Sequence, residues 1–420
     1  MYDCFVMHHL LHRYPALSAV LTGGALVAAQ LFFVCVVQGR GVTLNAWARL
    51  FQWDSVHYGH LVERGYFNTL PPLIGETDPG RASFQKHTNV AFFPGYIIVG
   101  RVLRTVTGLT VRGSLLLVSL IAAFGFWVML LLFLRMLQIP RRVQWLAIAS
   151  ILAYPAAFFL VAAYSESLFL LGLLGFLYWC ERRTPLGAFL AAVHGIIMTA
   201  TRIFGIPLAV YPMIVASAHP GSLMERVRRV IVPTMITLGA SLGAVGFFAY
   251  SSVFLGKWNL YMLVQQKMWG LTPDPLIIFH PPLALFVPLI TGPLLYGNVL
   301  SIISVSLTFW LLVFAAVVEV FRRRREDTQR PQRIGLLVTA AGVLYLSVAS
   351  LASMDFHSFI RYAYVPYMLI VFALASHMRT VRMTRTQMMI ASCIIGAVLM
   401  LFSAVQISFV RAFAEGLWVA

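Results

Sequence analysis

Charged side chains are scarce in this chain of 420 residues: they make up 11% of it, with 14 carboxylates and only three lysines, Lys86, Lys257 and Lys267. With 60% of residues hydrophobic and a mean hydropathy of +0.84, that scarcity excludes a soluble globule and predicts many apolar spans of about 20 residues each. Cysteine is as sparse. Cys4, Cys35, Cys180 and Cys393 are isolated and lie mostly inside apolar segments, which excludes a disulfide framework and a thiolate metal centre and leaves them as small packing residues. No CxxC, HExxH, P-loop or GxGxxG occurs, which argues against zinc chemistry, NTP hydrolysis and dinucleotide binding. No DxD occurs either, so no metal site is expected.

What the chain has in excess is arginine. A formal charge of +17 points to nucleic acid in a soluble protein, but here its distribution reads as topology, and no nucleic-acid partner is expected. The clusters at Arg13, Arg135 with Arg141 and Arg142, Arg182 and Arg183, Arg226 to Arg229, Arg322 to Arg333, and Arg379 to Arg385 all belong in the cytoplasm under the positive-inside rule. An all-α polytopic membrane protein with about eleven spans follows: 15–37, 113–134, 143–161, 166–180, 186–201, 203–218, 230–254, 299–320, 334–352, 361–377 and 386–410. The N-terminus is then inside, the first span is an uncleaved anchor, and the C-terminus is outside. Segments 90–106 and 281–295 read as interfacial or re-entrant, because a full crossing would move an arginine cluster to the wrong side.

One integral-membrane domain, 1–420, is expected. It comprises a large first extracytoplasmic loop at 38–112, core helices at 113–255, an extracytoplasmic or re-entrant segment at 256–298 and C-terminal helices at 299–420. No internal repeat of the kind found in inverted-repeat transporters is visible. The run FRRRREDTQRPQR at 321–333 reads as a solvated cytoplasmic loop.

This orientation gathers the remaining polar stretches on one side: 51–95, Tyr164 to Ser167, Arg202, Lys257 to Asp274 and Met354 to Arg361, with all three lysines. Lysines on the outside suggest a bound anion. The stretch from Phe51 to Gly95 holds four of the carboxylates, Asp54, Glu63, Glu76 and Asp78, and is where chemistry is expected to start. Asp54 suits a general base, or a helix N-cap. His57 shares its face at helical spacing, either orienting the carboxylate or simply packing. Glu166 is either a functional acid at the membrane edge or a first-turn acid favoured by the helix dipole. Arg202 and Arg361 interrupt apolar runs, where a guanidinium fits bidentate phosphate recognition or snorkels to the interface. Lys86 and His87 precede a turn suited to a lipid phosphate or to headgroups. Gln266, Lys267 and Trp269 suit a sugar, although an interfacial Trp needs no ligand.

WDSVHY with the following ERGYF, then NVAFFPGY, YSESLFLL and TATRIFG, in that order, resemble the phosphatidylinositol-glycan class V mannosyltransferases of the GT-C superfamily. The resemblance covers about residues 51 to 205. It departs at Ile203 and Phe204, where the family tends to have Asn before Gly205, and at Ile97, where a second Pro is common. It implies a GT-C fold and transfer, with inversion, of a mannose or related hexose. The donor is a polyprenyl- or dolichyl-phosphate sugar, and the acceptor is lipid-linked and extracytoplasmic; no further cofactor is implied.

Asp54 corresponds to the family's proposed base. Arg202, Arg361, Lys267, His57 and His87 are the candidates for the donor phosphate. Glu166, Trp53, Tyr164, Gln266 and Trp269 are those for sugar or acceptor. A transporter or flippase for a lipid-linked sugar, a non-catalytic partner on the same scaffold, and a transferase of another sugar are the rival readings. The length and the lack of a retrieval signal point to a bacterial plasma membrane rather than the endoplasmic reticulum.

Overall fold

Backbone polar groups in lipid have no water to pair with, so long apolar runs are driven into helices. The computed structural model describes residues 15–70, 86–287, 298–321, 327–378 and 384–419. Among these residues there is no strand, only an isolated antiparallel bridge between Asn68 and Thr88. The helices are α1 (Pro15–Val37), α2 (Leu44–Ala48), α3 (Asp54–Arg64), α4 (Pro94–Thr107), α5 (Val111–Met136), α6 (Arg141–Ala153), α7 (Glu166–Cys180), α8 (Pro185–Thr201), α9 (Gly205–Leu208), α10 (Tyr211–Ala218), α11 (Leu223–Leu255), α12 (Leu260–Trp269), α13 (Leu283–Phe286), α14 (Asn298–Phe321), α15 (Arg330–Leu351), α16 (Phe359–Tyr362), α17 (Tyr364–His377) and α18 (Arg385–Ala414).

Among the described residues, seven helical stretches are long and apolar enough to cross a membrane: α1, α5, α11, α14, α15, the run Phe359–His377 and α18. The protein is an all-α polytopic membrane protein. Each span expected from the sequence has a helical counterpart, but α7, α8 and the pair α9–α10 are short. The expected span 143–161 divides at Tyr154, whose ψ of 135° precedes Pro155, and continues as a buried 3-10 turn, Pro155–Leu160. Proline disfavours helical geometry in the residue before it. α11 starts earlier than expected, at a capping box between Ser222 and Glu225, so exposed Arg226, Arg228 and Arg229 ride on its first turns.

Of the two segments expected to be interfacial or re-entrant, 90–106 forms α4. Its 14 residues reach about 21 Å, which is short of the hydrocarbon thickness. Only α13 is seen in the other, since 288–297 lie outside the described residues. Cys4, Arg13, Glu76, Asp78, Arg322 to Arg325, Arg379 and Arg382 lie outside them too.

What positions the functional end of the molecule is the packing of α8. A Cβ on Gly172 of α7 would sit 2.7 Å from the Met198 nitrogen, and one on Gly243 of α11 would sit 2.3 Å from the Ile196 carbonyl oxygen. Glycine lets backbones approach this closely in membranes. α8 is therefore wedged against α7 and α11, which fixes Glu166, at the start of α7, relative to Arg202, just past the end of α8.

Candidate functional site

All five polar stretches expected to share a side meet at one cavity of about 720 Å³. Its wall takes Trp53, Asp54 and His57 from the start of α3, Arg202 from the end of α8, Gln265 and Trp269 from α12, His357 and Ser358 from the turn before α16, and Arg361 from α16 itself. Ser165, between the 3-10 turn and α7, completes that side of the wall.

α3 is held by its apolar face. Tyr58, Leu61 and Val62 pack with Tyr96 and Leu115, and the Tyr58 hydroxyl donates to Ser165 Oγ at 3.0 Å. Arg101 donates to the carbonyls of Leu61 and Val62, both at 2.9 Å, beside the Gly65 N–H that donates to Leu61 at 3.0 Å and closes the helix end. Asp54 is the first residue of α3, not its cap; the cap position is Trp53, whose φ of 53° lies in the left-handed region. Asp54 and His57, one turn apart, both reach the cavity wall.

Behind that wall runs an alternating chain of charge. Arg361 donates through Nη2 and Nε to Glu166 Oε1 at 2.7 and 3.1 Å, and through Nη1 to Asp54 Oδ2 at 3.2 Å. Arg202 Nη1 reaches the same Glu166 oxygen at 3.1 Å. The Arg361 and Glu166 side chains are 4% and 7% exposed, against 14% for Arg202 and 25% for Asp54. Arg361 and Glu166 are thus the more deeply buried pair, while Asp54, Arg202 and Arg361 all reach the cavity wall.

Aromatic faces complete the enclosure. The Arg361 guanidinium lies 4.8, 4.9 and 5.6 Å from the ring centres of Phe159, Tyr164 and Trp418, and Arg202 lies 5.4 Å from that of Tyr362. Such contacts favour a cation where water is scarce.

The other sequence-derived candidates divide clearly. Trp53 and Trp269 line the cavity. Glu166 sits behind the guanidinium groups rather than on the wall, with Oε2 buried and lacking a hydrogen-bond partner. Tyr164 is buried beneath Arg361, its hydroxyl donating to the Gln52 carbonyl at 3.3 Å. His87 Nδ1 is 3.1 Å from Thr69 Oγ1, beside the Asn68–Thr88 bridge, and is not part of the wall. On α12 the glutamine on the wall is Gln265, which donates to the Ala91 carbonyl at 2.8 Å; Gln266 and Lys267 do not line the cavity.

Sequence reasoning missed His357, Tyr362 and Trp418. The His357 ring stacks on Trp418 at 5.8 Å between centres with 19° between planes, and Trp418 meets Trp53 edge-on at 5.6 Å. Asp355, Phe356 and Ser358 have φ of 48°, 57° and 66°. Together with Trp53 they are four of the five non-glycine residues with positive φ among the described residues. Strain of this kind persists only where surrounding structure enforces it, often at working sites. The polar run MDFHSFIR was the one available signal for His357.

Burial lowers the pKa of His57 below the ordinary 6.5, opposed by Asp54 and reinforced by His60. Burial, and then Arg361, lower that of His357. Near neutral pH both imidazoles are uncharged, with one nitrogen to donate and one to accept.

No family model and no curated protein matches the chain. Among solved structures it is similar to the oligosaccharyltransferase of Archaeoglobus fulgidus in its apo form, with a TM-score of 0.47, 13% identity, and 96% of this chain and 56% of that one covered. The same enzyme tethered to an acceptor peptide containing the NVT sequon gives 0.46, 11%, 96% and 55%. The archaeal oligosaccharyltransferase AglB from that organism, in complex with an inhibitory peptide and a dolichol-phosphate, gives 0.45, 12%, 98% and 57%. The chain spans a little over half the length of these structures.

Proposed function

We propose that the chain is a single-domain membrane glycosyltransferase of the GT-C type. It moves mannose, or a related hexose, from a polyprenyl- or dolichyl-phosphate donor to a lipid-linked acceptor, on the extracytoplasmic side of a bacterial plasma membrane. The observation that carries this reading is a carboxylate, Asp54, on the wall of a cavity that also presents Arg202, with Arg361 gripping that carboxylate from behind.

In this scheme Asp54 takes the proton of the acceptor hydroxyl while the hydroxyl oxygen bonds to the anomeric carbon from the face opposite the phosphate. The bond from that carbon to the phosphate oxygen breaks, the electron pair leaves with the phosphate, and the configuration inverts. A base must be held within reach of the proton it takes, and the Arg361 contact fixes the Asp54 carboxylate in place. The leaving phosphate gains charge, which fixed donors stabilise without reorganising. Arg202, Arg361, His57 and His357 are the donors on the wall. Glu166 acts through the two guanidinium groups, Tyr164 through Arg361, and Trp53 and Trp269 supply apolar faces for the sugar. His87, Gln266 and Lys267, off the wall, have no part in it.

The test is transfer by purified protein in nanodiscs, given radiolabelled polyprenyl-phosphate mannose and a membrane-lipid extract, with and without chelator. Label should pass to a lipid product of inverted configuration in both conditions. Failure to transfer from any lipid-phosphate hexose would overturn the proposal in favour of a transporter.

A further inference from the structure

A second cavity, of about 840 Å³, lies where α7, α8, α10 and α11 end or begin. α7 runs from Glu166, behind the first cavity, to Cys180 on the wall of the second, and α8 returns from Pro185 on the second to Thr201 on the first. At 1.5 Å per residue these helices of 15 and 17 residues separate the two cavities by about 22–26 Å. The two cavities thus lie at opposite ends of α7 and α8, the expected crossings 166–180 and 186–201, and on that topology they face opposite sides of the membrane.

Their charge differs as much as their position. Around the first cavity two carboxylates neutralise two guanidinium groups. The second is lined by Arg182, Arg183, Arg228 and Arg229 with one carboxylate, Glu181. Glu181 is already engaged, accepting from Tyr211 at 3.0 Å and from Gln332 at 3.1 Å, and burial raises its pKa. Arg183 Nη2 lies 3.3 Å from His219 Nε2, and Arg229 donates to the Pro220 carbonyl at 2.6 Å. Neither contact supplies a negative charge. Arg229 also reaches Glu225 at 3.7 Å, with both side chains well exposed. Arg228 makes no hydrogen bond or ion pair among the described residues. Among the described residues, Glu181 and Glu225 are the carboxylates that act on these arginines, through Arg183 and Arg229, so positive charge is in excess at this mouth.

Below the arginines the wall is apolar, with Ala188, Val215, Val232 and Ile236 among its residues. A free inorganic anion gains nothing from that surface, whereas an acyl chain does. We infer that this cavity is a binding site for an anionic phospholipid of the leaflet opposite the first cavity, with its phosphate between Arg183 and Arg228 and its chain along Val215, Val232 and Ile236. Guanidinium forks match phosphate oxygens in pairs, and basic groups at a membrane surface draw anionic lipid. The inference stands apart from the proposed transferase activity.

The experiment is lipid retention. Protein is reconstituted in nanodiscs of phosphatidylcholine containing phosphatidylglycerol, re-extracted in mild detergent, and its bound lipid counted by native mass spectrometry. Wild type should retain phosphatidylglycerol over phosphatidylcholine. Arg228→Ala should lower that retention about fivefold, the effect of one basic group near an anionic surface, and Arg183→Ala/Arg228→Ala should lower it further.

Arg226→Ala, an exposed arginine on the same helix but off the wall, should leave retention unchanged. Arg228 has no hydrogen bond or ion pair among the described residues to lose on substitution, so the single variant keeps the test decisive if the double variant does not fold. Equal retention in wild type and Arg228→Ala, or the same loss in Arg226→Ala, would overturn the site. Displacement of the lipid by millimolar inorganic phosphate, with matching thermal stabilisation in lipid-free detergent, would overturn the lipid as its occupant.

Discussion

Arg361 Nη1 donates to Asp54 Oδ2 at 3.2 Å, joining residues 307 apart in the sequence, while the other edge of the same guanidinium holds Glu166. One planar fork thus ties the first turn of α3 to the start of α7. A lysine, with a single point of charge, cannot hold two carboxylates in that plane.

Removal of that fork should be costly. Arg361→Met leaves the Glu166 side chain, 7% exposed, with Arg202 as its remaining ion partner, and places it near Asp54 without a charge between them. Breaking a buried pair from one side typically costs about 3–5 kcal/mol. We expect a large drop in the detergent melting temperature for Arg361→Met and partial recovery on adding Glu166→Gln, with activity absent from both. Additive losses in this double-mutant cycle would show that the two side chains do not interact.

Acid should weaken the site through its histidines. The pKa values of His57 and His357 in the folded protein lie below the ordinary 6.5, so the unfolded chain binds more protons between the folded and unfolded values. Their contribution to stability is complete above pH 6.5 and is lost as the pH falls below it. Melting temperature measured from pH 8 to 5 should fall on the acid side, and His57→Gln/His357→Gln should flatten that limb. An unchanged limb in the double variant would assign the acid sensitivity to other groups.

The wedge at α8 gives a prediction remote from the chemistry. At Gly243 an added side chain meets the Ile196 carbonyl and the Thr199 hydroxyl within 2.5 Å, so α8 and α11 must separate. Overpacking costs about 1–3 kcal/mol. Gly243→Val should reduce folded yield and melting temperature, whereas Gly246→Ala, with nothing within 4 Å of its added carbon, should match wild type. Equal behaviour of the two variants would contradict the close approach.

Much of the fold is legible in the sequence because hydropathy and charge act along the chain. α1 and α7 have the expected ends, since lipid-compatible residues stop where polar ones begin. α11 does not, because exposed arginines extend a helix into water and hydropathy registers only the span. At the site, Asp54, Arg202 and Arg361 stand out as charges in apolar surroundings. Glu166 stands out too, but its place behind the guanidinium groups depends on a contact with a residue 195 positions away. Gln265 and Gln266 differ by a rotation of about 100° about the axis of α12, and no local pattern says which faces the cavity. His357 and Trp418 look like ordinary interfacial aromatics until folding stacks them against each other.

The most direct measurement is sugar transfer by Asp54→Asn beside wild type, in nanodiscs and in chelator, with donor binding followed in parallel. Asparagine keeps the size of the side chain and can still accept from Arg361, so the fold and donor affinity should persist. Loss of a positioned general base should lower turnover by about 10²–10⁴-fold. That loss in a folded, donor-binding variant is the predicted result; wild-type turnover in Asp54→Asn would contradict the assignment of Asp54 as the base.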